Sequence, residues 1–436
     1  MQESLTIEKT MEEAEENSQV SSWHSKLRAL GPGILMASAA VGGSHIVAST
    51  QAGAIYGWQL AIIIIILANL CKYPFFRFGV HYTLSTNESL LQGYQRKGNL
   101  YLGVFFVLNV FAAMVNTAAV SIICAAILKF IFMAVGVNFA ISIPVASTMV
   151  IAITWGMLIL GQYRFLDGLS KGIMTALTVS TVSAVIIAAF KGGMPMAPDF
   201  VAPNPWTLTS LGFIVALMGW MPAPIEISAL NSMWVVAKRR LNPVSFKDGI
   251  FDFNVGYIGT AILALVFMAL GALVQYGSGE KVEAAGVAYI GQLINMYAFA
   301  IGSWSKLLIA LIAFLCMFGT TLTVIDGYSH ANDEALRLLL EKDHSSTRNL
   351  NIWMTVTALI GIVIISGFMS DVATMLYFAM ICSFVSTPFF ALLNFSLVRT
   401  GANKVKGGLF WLGVFGFLYL AGFTILFIAY EAGLLR

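Results

Sequence analysis

Residues 30–57 read "LGPGILMASAAVGGSHIVASTQAGAIYG". The stretch is apolar enough for a membrane helix, yet Gly42-Gly43-Ser44-His45 falls near its middle. Glycine in a helix interior costs about 1 kcal/mol relative to alanine. A histidine in hydrocarbon costs more and marks a functional place by default. The tetrapeptide predicts a span broken at mid-membrane, with the freed backbone groups put to use.

Working outward, lipid is the setting of the whole chain. Of 436 residues, 58% are hydrophobic and 10% charged, and the mean hydropathy is +0.84. An ordinary soluble domain carries about 25% charged residues. An all-α integral membrane protein follows, because helices satisfy their own backbone groups in lipid. Apolar windows of helix-spanning length recur eleven times, at 30–56, 57–80, 101–126, 140–161, 165–190, 208–236, 250–276, 299–325, 350–369, 371–398 and 408–431. Residues 125–138 read as a helix extension, and "YSHANDEALRLLLEK" (328–342) as a separate short amphipathic helix at the interface. Residues 1–28 are polar and rich in Glu, with no cleavable signal, and are expected to be a disordered tail. Cys71, Cys124, Cys316 and Cys382 lie in apolar segments without CxxC spacing and read as small core residues.

Eleven spans put the two termini on opposite sides. Lys26, Arg28, Arg77, Arg96, Lys97, Arg164, Lys171, Lys238, Arg239, Arg240, Lys247, Arg337, Lys342, Arg348, Arg399, Lys404 and Lys406 all fall on one side, with Lys72 at a span end there. The other side holds only Lys129, Lys191, Lys281, Lys306 and Arg436. By the positive-inside bias the N-terminus is cytoplasmic and the C-terminus external, in the cytoplasmic membrane. Asn87-Glu88-Ser89 then faces the cytoplasm and carries no glycan. Lys72 and Lys129, near span ends, are expected to snorkel.

The sixth span repeats the peculiarity of the first. It reads "SLGFIVALMGWMPAPIEISALNSM" (210–233), and Pro222 and Pro224 each remove a backbone donor from its centre. Interrupted spans in matching positions are the best sequence pointer to a transporter's midplane site. The five-span separation fits a LeuT-like 5+5 inverted repeat plus one helix. The first repeat is 29–190, the second 207–398, and the eleventh helix lies in 399–436.

These residues carry a resemblance. Span one resembles the first span of the Nramp family (natural resistance-associated macrophage proteins), divalent-metal transporters whose pattern there runs GPGFL, DPGN, then QAGAxYG. Met221-Pro222 resembles the family's MPH, and "SALNSMWVVAKRR" the segment after it. The resemblance implies a metal site at the two breaks, but with its chemistry changed. The family's Asp, Pro, Gly and Asn fall on Gly42, Gly43, Ser44 and His45. Its metal-binding methionine is kept as Met221, and its histidine falls on Ala223. Its backbone-carbonyl ligands fall on Ala39 and Met218, and its proton-relay acids fall near Asn116 and Ala119. A bare dication without the lost carboxylate lacks a counter-charge, which costs at least several kcal/mol.

Three side chains are candidate replacements. Glu226, the only acid inside span six, would ligate a cation, carry a proton, or bond to a neighbouring helix. His45 would pair with Met221 as a nitrogen–sulfur set for a transition metal, or bond a carbonyl exposed by the break. The metal candidates are thus His45, Met221 and Glu226. Ser44 and Ser228 would donate hydroxyls. Asp326 would line an inner vestibule or pair with Arg337, and Asp252 would neutralise nearby basic residues. Asn109 and Asn116 share one helix face and either line the pathway or bond between helices. Proton coupling, if kept, runs through Glu226 or His45.

No Walker A, GxSxG, HExxH or post-strand GxGxxG appears, which argues against an enzyme. The leading expectation is a secondary importer of a Mn- or Fe-like divalent ion. The alternatives are a related transporter of a hydrated ion such as Mg²⁺ or of a non-metal solute, and a non-transporting membrane sensor. The partners expected are a small ion or solute and the lipid bilayer, with no nucleic acid and no cofactor. Oligomeric state stays open.

Overall fold

In a computed structural model of the chain, the described backbone comprises residues 23–137, 140–161, 163–342, 344–368, 371–399 and 404–435. Most of the acidic tail, and the side chains of Arg164, Lys171 and Arg436, lie outside the described residues. The described chain is all helix and loop. Its helices are α1 (Trp23–Ala29), α2 (Pro32–Ala40), α3 (Thr50–Thr86), α4 (Leu90–Lys97), α5 (Asn99–Ala134), α6 (Ile143–Ile159) and α7 (Tyr163–Phe190). They continue as α8 (Leu211–Trp220), α9 (Ile227–Leu241), α10 (Phe246–Val274), α11 (Val287–Ile301), α12 (Ser305–Leu339), α13 (Thr347–Phe368), α14 (Val372–Val398) and α15 (Gly408–Glu431). A π-helical turn, Ser44–Ser49, leads into α3.

Seven described helices are long and apolar enough to cross a membrane, and the bent pair Pro32–Ala40 and Ser44–Trp58 passes the same test as one unit. The protein is therefore a multi-pass membrane protein. Its helices form an inner set and a rim. The most apolar windows of α5 and α10 are 61% buried, whereas those of α7, α13 and α15 are only 22–28% buried and turn large side chains outward.

Small residues let the inner helices touch. A Cβ on Gly33 would fall 2.1 Å from the Asp252 carbonyl oxygen, and one on Gly256 would fall 2.1 Å from that of Gly33. Further along, a Cβ on Gly53 would meet the Met268 oxygen at 1.9 Å and one on Gly271 the Thr50 oxygen at 2.1 Å. Helix α10 is thus held against both halves of span one by backbone-to-backbone contact, the usual means of association where lipid removes the hydrophobic drive.

Spans one and two adjoin as expected, and Gly57, at φ 64°, makes the kink between their two helices. Several boundaries differ from the sequence reading. The segment 328–342 is the end of α12 rather than a separate interfacial helix. Its apolar positions continue the face of the span before it, and Tyr328, Ala331 and Ala335 are buried. Helix α11 was not expected; its short apolar run falls below spanning length. The extension beyond residue 125 is present, since α5 runs to Ala134.

Candidate functional site

The first interruption begins where α2 ends. Val41 is extended (φ −79°, ψ 101°), its N–H still bonded to the Ala37 carbonyl, and the chain bends 55° before the helix resumes. The two glycines do not serve by backbone freedom, since Gly43 has ordinary helical angles. They serve by being small. A Cβ on Gly43 would lie 2.9 Å from the Trp220 ring, and one on Gly42 would lie 3.1 Å from the Thr320 hydroxyl.

The second interruption follows from the prolines. Helix α8 stops at Trp220, Met221 is extended, the Met221–Pro222 peptide is cis, and α9 starts at Ile227. The helical partner of the Met218 carbonyl would be the N–H of residue 222, which a proline lacks. The freed carbonyls have another partner. Lys72, on α3 and fully buried, donates from Nζ to the Met218 oxygen at 2.6 Å, to Gly219 at 2.7 Å and to Ala223 at 3.2 Å. Lys72 does not snorkel: it is fully buried, and its ammonium turns to these three carbonyls.

Between the two interruptions lies a cavity of about 40 Å³, room for a water or a very small solute. Ala39, Gly42, Gly43 and Ser44 border it from one side and Trp220 and Pro224 from the other. Asn116, Thr320 and Tyr328 close it laterally. A chain of hydrogen bonds runs along this wall. Trp220 Nε1 donates to Asn116 Oδ1 and Ser383 Oγ, both at 3.1 Å. Asn116 Nδ2 donates to the Tyr328 hydroxyl at 3.1 Å, which donates to Glu226 Oε1 at 3.0 Å. Glu226 Oε2 is buried with no hydrogen-bond partner.

The structure thus brings Ala39, Gly42, Gly43, Ser44 and Asn116 to one cavity, with Glu226 one hydrogen bond behind its wall. The remaining candidates point elsewhere. His45 Nε2 lies 3.0 Å from the Thr260 carbonyl on α10 and Nδ1 lies 2.7 Å from Ser44 Oγ. A carbonyl only accepts, so Nε2 carries the proton given to Thr260, and Nδ1 faces Ser44 Oγ, whose single proton is also within reach of the Ala40 carbonyl at 2.9 Å. The Met218 carbonyl is taken by Lys72, and its sulfur accepts from the Tyr419 hydroxyl at 3.2 Å. Met221 and Ala223 are buried but do not border the cavity. Asp326 faces His330 at 3.3 Å, while Arg337 pairs with Glu334 through two 2.8 Å contacts.

Asp252 has a sharper role than neutralising basic residues. Its Oδ1 accepts from Gly31 N–H at 2.9 Å and its Oδ2 from Gly33 N–H at 2.6 Å, which places a carboxylate on the N-terminus of α2. Asn109 bonds to Asn332 at 2.7 Å, so Asn109 and Asn116 both reach from α5 to α12. Among the described residues no three His, Cys, Asp or Glu side chains group as a metal site would require. Tyr328 was given no role by the sequence reading, and Lys72 was read only as a snorkelling lysine at a span end, although a charge within a long apolar run was its signal.

No family model matches the chain. An uncharacterised protein of Pasteurella multocida (strain Pm70) is 63% identical to it over 432 residues, which cover 99% of this chain and 98% of that protein. The chain belongs to that protein's family. The chain also resembles solved transporters in fold. A manganese transporter of Eremococcus coleocola matches with a TM-score of 0.67 at 17% identity, over 95% of this chain and 88% of that one. MhsT in complex with L-phenylalanine matches at 0.61 and 13% identity, over 92% and 98%. Mhp1, a nucleobase-cation-symport-1 family transporter, matches at 0.58 and 13% identity, over 92% and 93%. The likeness establishes a LeuT-type fold. It does not choose a cargo, because these neighbours include a manganese transporter and two proteins solved with organic molecules bound.

Proposed function

We propose that this chain is a secondary transporter of the Nramp-like group that takes a small polar cargo at the cavity between the two interruptions and passes it by alternating access. The cargo is an ion that keeps its water or a non-metal solute, rather than a bare transition-metal ion. The eleven spans, the two five-helix repeats (29–190 and 207–398), the last helix within 399–436 and the cytoplasmic N-terminus are part of the same proposal.

One observation carries the choice of cargo. The Met218 carbonyl, which the Nramp resemblance offers as a metal ligand, is already bonded to the Lys72 ammonium at 2.6 Å. The cavity lining contains no carboxylate, His45 is turned to Thr260, and the nearest acid sits behind Tyr328. A dehydrated dication in the cavity would meet no ligating anion, at a cost of at least several kcal/mol. A neutral or hydrated solute needs no such anion.

Calorimetry with purified protein tests this directly. Mn²⁺ is expected to give no binding heat and no uptake into proteoliposomes loaded with a Mn²⁺-quenched dye. Saturable Mn²⁺ binding that Met221→Ala abolishes would favour the second reading, transition-metal import. That reading draws support from the likeness to the manganese transporter and from Met221 beside Pro222.

A further inference from the structure

We infer that the carbonyls of Met218, Gly219 and Ala223 form a cation subsite, and that Lys72 fills it as a tethered cation in place of a diffusible one. The inference does not depend on the identity of the cargo. Its basis is a match in number and direction. An ammonium has three N–H donors and no acceptor. Lys72 Nζ directs them at three carbonyl oxygens, at 2.6, 2.7 and 3.2 Å. Rings of backbone carbonyls that replace a hydration shell are how proteins hold weakly solvated monovalent cations.

The subsite also sits where a cation is favoured. Met218 and Gly219 belong to the last turn of α8, the negative end of its dipole, and Pro222 leaves the Met218 oxygen without its helical donor. Without Lys72, the Met218 oxygen would keep only a long 3.4 Å contact from the Met221 N–H, and Gly219 and Ala223 would lose the donor seen here, which is costly in a fully buried place. A cation at this point offsets that cost, and this chain supplies it from α3. The consequence is that the break in span six is held without a bound ion.

Full-length wild type, Lys72→Ala and Lys72→Gln are compared by thermal unfolding in detergent, in choline, potassium or propylammonium chloride. Choline is too large for the subsite, and propylammonium restores the atoms that alanine lacks. Wild type is expected to unfold at one temperature in all three salts. Lys72→Ala is expected to unfold earlier in choline and to rise by about 4 °C with saturating potassium or propylammonium. A rise of the same size in wild type, or none in Lys72→Ala, overturns the inference. Lys72→Gln, one atom shorter, keeps most of the side chain and two donors but no charge, and guards against an alanine variant that does not fold. It must unfold below wild type; equal stability would show that no cation is needed.

Discussion

At the scale of single residues, the site is a set of donors and acceptors whose pairing leaves one atom over. Trp220, Asn116, Tyr328 and Glu226 hand hydrogen bonds along the cavity wall, and the chain stops at Glu226 Oε2. Tyr328→Phe would leave the carboxylate with no donor and Asn116 Nδ2 with no acceptor. Each buried group left unpaired costs about 1–3 kcal/mol, so the variant should unfold several degrees below wild type in detergent. An unchanged midpoint would mean that the hydroxyl holds nothing. The sequence named Asn116 and Glu226 from their chemistry inside apolar spans. It did not name Tyr328, because a tyrosine in an apolar helix is unremarkable until its partner is known. His45 shows the reverse: an unusual residue in the sequence, it bonds a buried mid-helix carbonyl of α10, that of Thr260, and not one freed by the break.

At the scale of elements, the half-helices α2 and α8 are each tied at one end by a charged side chain from another helix. Asp252 binds the N-terminus of α2, and Lys72 binds the C-terminus of α8, each opposite in sign to the dipole end it meets. Asp252→Asn keeps one acceptor and loses the charge, which should cost about 1–2 kcal/mol. Hydrogen exchange should quicken at residues 31–40 and stay unchanged in α8; faster exchange throughout would mean a general loss of fold instead. Packing sets a second constraint. A Cβ on Gly219 would fall 1.9 Å from the Met380 carbonyl oxygen, so Gly219→Ala must push α8 off α14. Overpacking of this kind costs about 1–3 kcal/mol, or more when backbone must move, and should show as a sharp fall in folded yield. A normal yield would mean that the two helices separate freely. The breaks themselves were legible, from Gly42-Gly43 and from Pro222 and Pro224. The continuity of α12 through residue 339 was not, because its polar end looks like an interfacial helix until its buried face is seen against α5.

At the scale of the whole molecule, lipid decides the architecture and charge decides its sense. A reporter that works only in the cytoplasm should be active when fused to the N-terminus and silent after the C-terminus. Activity at both ends would refute the eleven-span count, and the opposite pattern would refute its orientation. Composition and the repeat of apolar windows determined that the chain is an all-helical, multi-pass membrane protein, since hydropathy is summed locally and needs no partner. Proline and glycine determined where two helices fail, since the missing donor or side chain belongs to the residue itself. Only the tertiary structure decided what uses those failures. Lys72 reaches Met218 across 146 residues of chain, and Tyr328 reaches Glu226 across 102. Such pairings depend on how helices cross and rotate against one another, which is set by the packing of all of them together and by no segment alone.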